Sequence, residues 1–134
     1  MNISEAARRS GLTSKTIRYY EEIGLIAPAR RGENGYRQYE GSAVEELQFL
    51  ARARDVGFDL DECRQLVNLQ RDKGRQSRHA RELVLEKSAK LQARIDRLQA
   101  MQHVLQDMAL RCQGDEGPDC AILEDLAGAD GGRP

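Results

Sequence analysis

Residues 13–24 read Thr13-Ser14-Lys15-Thr16-Ile17-Arg18-Tyr19-Tyr20-Glu21-Glu22-Ile23-Gly24, and the N-terminal half of the chain turns on them. Thr13 or Ser14 is a helix N-cap residue and Gly24 a stop, so the spacing predicts a helix through about Ile23. Its exposed positions are dense in groups that bind nucleic acid. Arginine forks onto phosphate or guanine, lysine neutralises phosphate, and tyrosine and threonine hydroxyls bond to backbone oxygens. Lys15, Thr16, Arg18, Tyr19 and Tyr20 are therefore candidate DNA contacts. Read by itself the segment is equally an ordinary solvated helix face, with Glu21 and Glu22 as its acidic end.

Upstream, Asn2 and Glu5 have capping-box spacing, so a first helix begins at Ile3 and ends at Gly11. Ala7, Gly11 and Ile17 fall where a helix-turn-helix needs a small packing residue, a turn glycine and a core aliphatic. Downstream, Pro28 and Asn34-Gly35 are turn signals between short polar-aromatic runs, which predicts a hairpin within residues 27–39. That hairpin displays Arg30, Arg31, Tyr36 and Arg37. A helix-turn-helix followed by a basic hairpin is a winged DNA reader, and the combination is far more specific than either part.

Ser42 with Glu45 predicts a further capped helix to about Asp55, and Asp59 with Glu62 another beyond Gly57. Leu60, Cys63, Leu66, Val67 and Leu69 form the apolar face of the latter, which makes Cys63 a core residue rather than a ligand. After a polar connector around Gly74, residues 77–110 form one helical pattern without Gly or Pro. Its apolar positions are Val84, Leu91, Ile95, Leu98, Met101, Leu105 and Met108. The stripe is narrow, and a coiled-coil partner, most simply a second copy, is the economical way to bury it.

The chain then enters a short loop bounded by Cys112 and Cys120, with Gly114, Gly117 and Pro118 between them. Its residues are a poor core, so two thiols there suggest a metal clamp, a disulfide or an incidental turn.

At 134 residues the chain suits one or two small units. Residues 1–40 carry a net +2 and residues 111–134 a net −4, a basic head and acidic tail that are compatible with DNA binding at the head but by themselves a weak signal. No apolar run reaches membrane-span length and the N-terminus is unlike a signal peptide, which points to the cytoplasm, with no membrane partner. There, cysteines are more often free thiols or ligands than disulfides. No P-loop, Cys-x-x-Cys pair or nucleophile motif points to an enzyme.

The chain resembles the MerR family of transcriptional regulators. Ile3-Ser4-Glu5-Ala6-Ala7, Gly11-Leu12-Thr13, Thr16-Ile17-Arg18-Tyr19-Tyr20-Glu21, Gly24-Leu25-Ile26, Asn34-Gly35-Tyr36-Arg37 and Gly57-Phe58 carry the resemblance. Within the family it is most similar to the copper-efflux regulators of the CueR type, through Cys112, Asp119, Cys120, Ile122 and Leu126. Those often carry a cysteine- or histidine-rich tail, whereas residues 128–134 hold no ligand.

The resemblance implies a mainly α fold with a winged helix-turn-helix over residues 1–74. A long antiparallel dimerisation helix would follow over 75–110, and a metal-binding loop and tail over 111–134. It implies a homodimer on promoter DNA, with each metal loop beside the partner's DNA-binding half. Metal binding would then distort the duplex so that RNA polymerase can use it. Family members that sense divalent ions place a cysteine where this chain has Ser77, so two thiolates are left for a monovalent soft ion: Cu(I), or Ag(I) or Au(I). Two thiolates around such an ion carry a net negative charge, and Ser77 and Arg81 of the partner subunit are expected to stabilise it. Two alternatives stay open: a redox sensor switching through a Cys112–Cys120 disulfide, and a zinc sensor of the same family. An iron–sulfur cluster would need more cysteines, and a drug sensor would need a further domain.

Overall fold

The computed structural model describes residues 1–128. In chain order it contains α1 (Ile3–Ser10), α2 (Ser14–Glu22), β1 (Arg30–Arg31), β2 (Arg37–Gln38), α3 (Gly41–Asp55), α4 (Leu60–Arg71), α5 (Ser77–Arg111) and α6 (Ala121–Leu126). Residues 129–134, the end of the predicted tail, lie outside the described residues. The chain divides into two compact units, residues 1–87 and residues from 88 on.

Local chemistry explains most element ends. Asn2 Oδ1 accepts the Glu5 N–H at 2.9 Å, so the expected box forms on the cap side. Gly11 closes α1 at φ 78°, a left-handed conformation that glycine adopts without steric cost. Thr13 Oγ1 accepts the Thr16 N–H at 3.0 Å and starts α2.

The hairpin forms where Asn34-Gly35 placed it, pairing Arg31 with Arg37 and Arg30 with Gln38. Gly35 N–H donates to Gly32 O at 2.9 Å, Gly32 N–H donates to Tyr36 O at 2.8 Å, and Gly35 sits at φ 79°. This is a tight turn followed by a left-handed glycine, the common three-residue hairpin connection.

The start of α3 departs from expectation. Its N-cap is Glu40, with no side-chain cap bond, and Ser42 lies inside the first turn. The Ser42–Glu45 box cannot form because Val44 N–H already donates to Glu40 O, at 3.1 Å, and closes that turn upstream. At the other end, Gly57 N–H donates to Arg54 O at 2.9 Å and Phe58 N–H to Ala53 O at 3.2 Å, the paired bonds of a Schellman stop. The predicted Asp59–Glu62 box is complete, with both bonds at 2.8 Å.

The first unit is built around Ala6, Ile17, Leu25, Leu47, Leu50 and Cys63, all essentially inaccessible to water. Each large aliphatic side chain buried this way contributes about 1.5–3 kcal/mol. Cys63 is a core residue, as its stripe position implied, and burial pushes its thiol pKa up. One interaction has no signature in the spacing of its residues. Lys87 Nζ donates to Glu62 Oε1 at 3.0 Å with both side chains buried, which ties the first turns of α5 into this unit.

Helix α5 runs 35 residues, roughly 50 Å at 1.5 Å per residue. Along it Val84, Ile95, Leu98, Met101 and Leu105 are about half exposed or more, Leu91 is intermediate and Met108 is buried. Among the described residues no helix is long and apolar enough to cross a membrane.

Candidate functional site

Helix α2 and the wing present one continuous surface. Lys15, Arg18 and Tyr19 are exposed along α2, while Ile17 faces the core. Thr16 is half-buried, and its hydroxyl accepts a 2.8 Å bond from Thr13, which draws it into the helix cap. Tyr20 does not belong with the contact residues. It is buried in the core beside Ile17 and Leu25, and desolvation raises its phenol pKa. The 3.6-residue repeat turns Tyr20 inward, three positions after Ile17.

Arg18, Arg31, Tyr36 and Arg37 line one open depression of about 460 Å3 between α2 and the wing, together with Asn2 and Asn34. Tyr36 is 71% exposed at the wing tip, and Arg31 Nη1 donates to Gly35 O at 2.9 Å, which steadies the turn. Three guanidinium groups lining one depression favour an anion there, and phosphate matches their planar donor fork.

Two partners of this surface carried no sequence signal as contacts. Glu21, at the end of α2, accepts the Tyr39 hydroxyl through Oε1 at 2.5 Å and faces Arg37 Nε through Oε2 at 3.3 Å. Burial, followed by the Glu21 hydrogen bond, pushes the Tyr39 pKa well up. Arg64 of α4 donates to Ile23 O at 2.9 Å and to Gly24 O at 3.2 Å, placing a cation at the C-terminal end of α2.

The second candidate site lies wholly in the C-terminal unit. Cys112 continues the last turn of α5, its N–H donating to Met108 O at 3.2 Å, and Cys120 is the N-cap of α6. Gly114 turns the connecting loop at φ 65°, and Asp115 Oδ1 accepts the Gly117 N–H at 2.9 Å. The two Sγ atoms are 3.4 Å apart and both thiols are free. A disulfide would hold them at about 2.05 Å. Metal–thiolate bonds of about 2.3 Å each span the observed gap, so both sulfurs can reach one ion.

The Cys120 thiol pKa is lowered, first by the Leu123 N–H and then by the Cys112 thiol and the Ile122 N–H, with burial and, less strongly, Glu124 opposing. Arg111 clasps the loop shut, pairing with Asp107 at 3.1 Å and with Asp125 of α6. Asp115, Glu116 and Asp119 are exposed. Among the described residues no group of three His, Cys, Asp or Glu side chains is gathered to hold a metal. Ser77 and Arg81 are solvent-exposed in the first two turns of α5.

Residues 1–70 match the family described as MerR HTH family regulatory protein, and residues 44–108 match the one described as MerR, DNA binding. The chain is 48% identical to the transcriptional regulator CueR of Salmonella typhi, over 96% of this chain and 93% of that protein. It is also 48% identical to the regulator HmrR of Rhizobium leguminosarum bv. viciae, over 95% and 98%. Among solved structures it resembles PbrR691 from Ralstonia metallidurans CH34 in complex with lead(II). The TM-score there is 0.84 and the identity 29%, over 94% of this chain and 98% of that one. With the winged reader and the long helix both in place, the chain belongs to the MerR family of helix-turn-helix, DNA-binding transcriptional regulators.

Proposed function

We propose that this protein senses a soft monovalent metal ion and activates efflux or detoxification genes in response. In this reading it binds promoter duplex as a homodimer through α2 and the wing. It takes Cu(I), or Ag(I) or Au(I) of the same class, between Cys112 and Cys120, and it distorts the promoter for RNA polymerase. Residues 1–74 read DNA, 75–110 pair the subunits as an antiparallel coiled coil, and 111–134 sense the ion.

The observation that carries the metal reading is the 3.4 Å approach of two free thiols, with no third ligand gathered beside them among the described residues. Thiolates prefer soft ions, and zinc usually takes four ligands. The names of the similar proteins, a CueR, an HmrR and a regulator crystallised with lead(II), support a metal-responsive class. The exposed stripe on α5 supports pairing with a second copy, since coiled-coil seams bury this spacing.

The chain's own residues prepare the site. Thiols bind metal as thiolates, so binding releases protons, and the lowered pKa of Cys120 reduces that demand. Arg111 keeps α6 against the end of α5 and sets a cation next to Cys112. Ser77 and Arg81 of the partner subunit complete the charge balance at the clamp. At the other end, Lys15, Thr16, Arg18, Tyr19, Arg31, Tyr36 and Arg37 meet DNA. A protein-induced bend costs on the order of 1–6 kcal/mol, which the extra contacts of the bent complex offset.

Titration of the reduced protein with Cu(I) against a competing chelator tests the reading. One ion per subunit is expected, lost in Cys112→Ser and in Cys120→Ser while DNA binding persists. Undiminished binding in both variants would overturn it. The same sulfur separation favours a second reading, in which peroxide oxidises the two thiols to a disulfide and is itself reduced to water. Promoter activation by peroxide without metal, dependent on both cysteines, would select that reading.

A further inference from the structure

An acidic side chain beside a phosphate-binding surface should weaken it, and Glu21 is such a side chain. It lies at the end of α2, three residues from Arg18, and its side chain is only 7% exposed. Its two oxygens are both engaged by the wing strand and the residue after it: Oε1 accepts from the Tyr39 hydroxyl, and Oε2 faces Arg37 Nε at 3.3 Å. Arg37 meets Glu21 side-on, through Nε. Among the described residues its two Nη nitrogens make no other ion pair, and Arg37 lines the depression shared with Arg18 and Arg31. The carboxylate thus pairs with Nε and takes up neither Nη nitrogen, while Arg37 itself lines the depression.

We propose that Glu21 is a positioning residue for DNA binding. It holds the Arg37 guanidinium so that its Nη edge forks onto a single backbone phosphate, and through Tyr39 it fixes the wing at a set distance from the recognition helix. Arginine is suited to this because its planar fork loses little freedom once one edge is held. Tyr39 is itself anchored, its N–H donating to Met1 O at 2.7 Å and its carbonyl accepting from the Met1 ammonium at 2.9 Å. The inference rests on the assignment of Arg37 as a DNA contact.

The two possible roles of Glu21 predict opposite signs. A carboxylate that merely neutralises Arg37 would, on Glu21→Gln, free a positive charge, tighten DNA binding and steepen its salt dependence. A carboxylate that aims Arg37 would, on the same change, weaken binding and flatten that dependence. The test uses the full-length reduced protein and a duplex that it selects from a randomised pool, with affinity measured across salt concentrations.

Glu21→Gln is expected to lose about tenfold in affinity, with the log–log salt slope reduced by about 0.9, the value for one phosphate contact. Arg37→Met is expected to do the same, and the double variant to lose little more than either. Tighter binding in Glu21→Gln, or weaker binding with an unchanged slope, overturns the proposal while leaving Arg37 as a contact. If Arg37→Met changes neither affinity nor slope, the contact assignment itself fails. Arg37→Lys covers the case in which Glu21→Gln does not fold. It keeps the charge but discards the fork, so wild-type affinity there would equally overturn the orientation argument.

Discussion

Lys87 Nζ and Glu62 Oε1 form a buried ion pair at 3.0 Å, and the same carboxylate oxygen accepts the Asp59 N–H that caps α4. One atom therefore serves both the start of α4 and the attachment of α5. Two residues along, Arg64 holds the carbonyls of Ile23 and Gly24, just past the end of the recognition helix. The long helix thus reaches the DNA-reading helix through a single intervening element, by contacts that are all charged or charge-assisted.

Lys87→Met should destabilise the protein by about 3 kcal/mol or more, because it breaks a buried ion pair by removing one of its members. The double variant Glu62→Gln, Lys87→Met should recover much of that loss, since replacing a buried pair costs less than breaking one. Urea unfolding of both variants checks the order. A single variant no less stable than the double would contradict it.

Thiol reactivity should separate the cysteines. Cys120 is only partly buried and its thiol pKa is lowered, whereas Cys63 is buried with its pKa raised. Iodoacetamide labelling followed by mass spectrometry should modify Cys120 first at neutral pH and leave Cys63 unmodified until the protein unfolds. As pH drops through the lowered Cys120 value, its labelling should slow, and metal affinity should weaken with it.

Ser77→Cys should broaden metal selectivity toward divalent ions by at least tenfold, by supplying a third thiolate at the proposed clamp. Competition of Cu(I) against Zn(II) reads the effect directly. Unchanged selectivity would remove Ser77 from the site.

Leu98→Glu, at a position 62% exposed in the single chain, should convert a dimer to monomers. A charge at a coiled-coil seam position has no apolar partner to replace and stays in water only if the helices separate. Sedimentation equilibrium of the reduced protein distinguishes the two states. The first unit should retain its own fold, because its core does not include Leu98.

Much of this architecture was legible in the chain because it depends on neighbours three or four residues apart. Asn2, Thr13 and Asp59 cap their helices through the third residue onward, and Gly11, Gly35 and Gly57 stand where the backbone turns left-handed. The start of α3 is not legible from spacing, because Ser42 and Glu45 have box spacing but Ser42 lies inside the first turn of a helix that Glu40 already opens. Tyr20 is ambiguous in the sequence for a related reason. Its residue type suits DNA, and only its position after Ile17 shows that it faces inward.

The sequence alone thus determined the winged reader, the unbroken long helix and the two-thiol loop, since cap chemistry, hydrophobic period and glycine conformation are local. Tertiary structure decided which charges meet. Glu21 with Arg37 and Glu62 with Lys87 are sixteen and twenty-five residues apart in the chain, and nothing in their spacing announces them. Lys87 did stand in the apolar register of α5, between Val84 and Leu91, and a charge there signals a buried partner without naming it. The pairing of Cys112 and Cys120 required both kinds of information. The loop length made it feasible, and the placement of α6 by Arg111 and Asp125 brought the sulfurs to 3.4 Å.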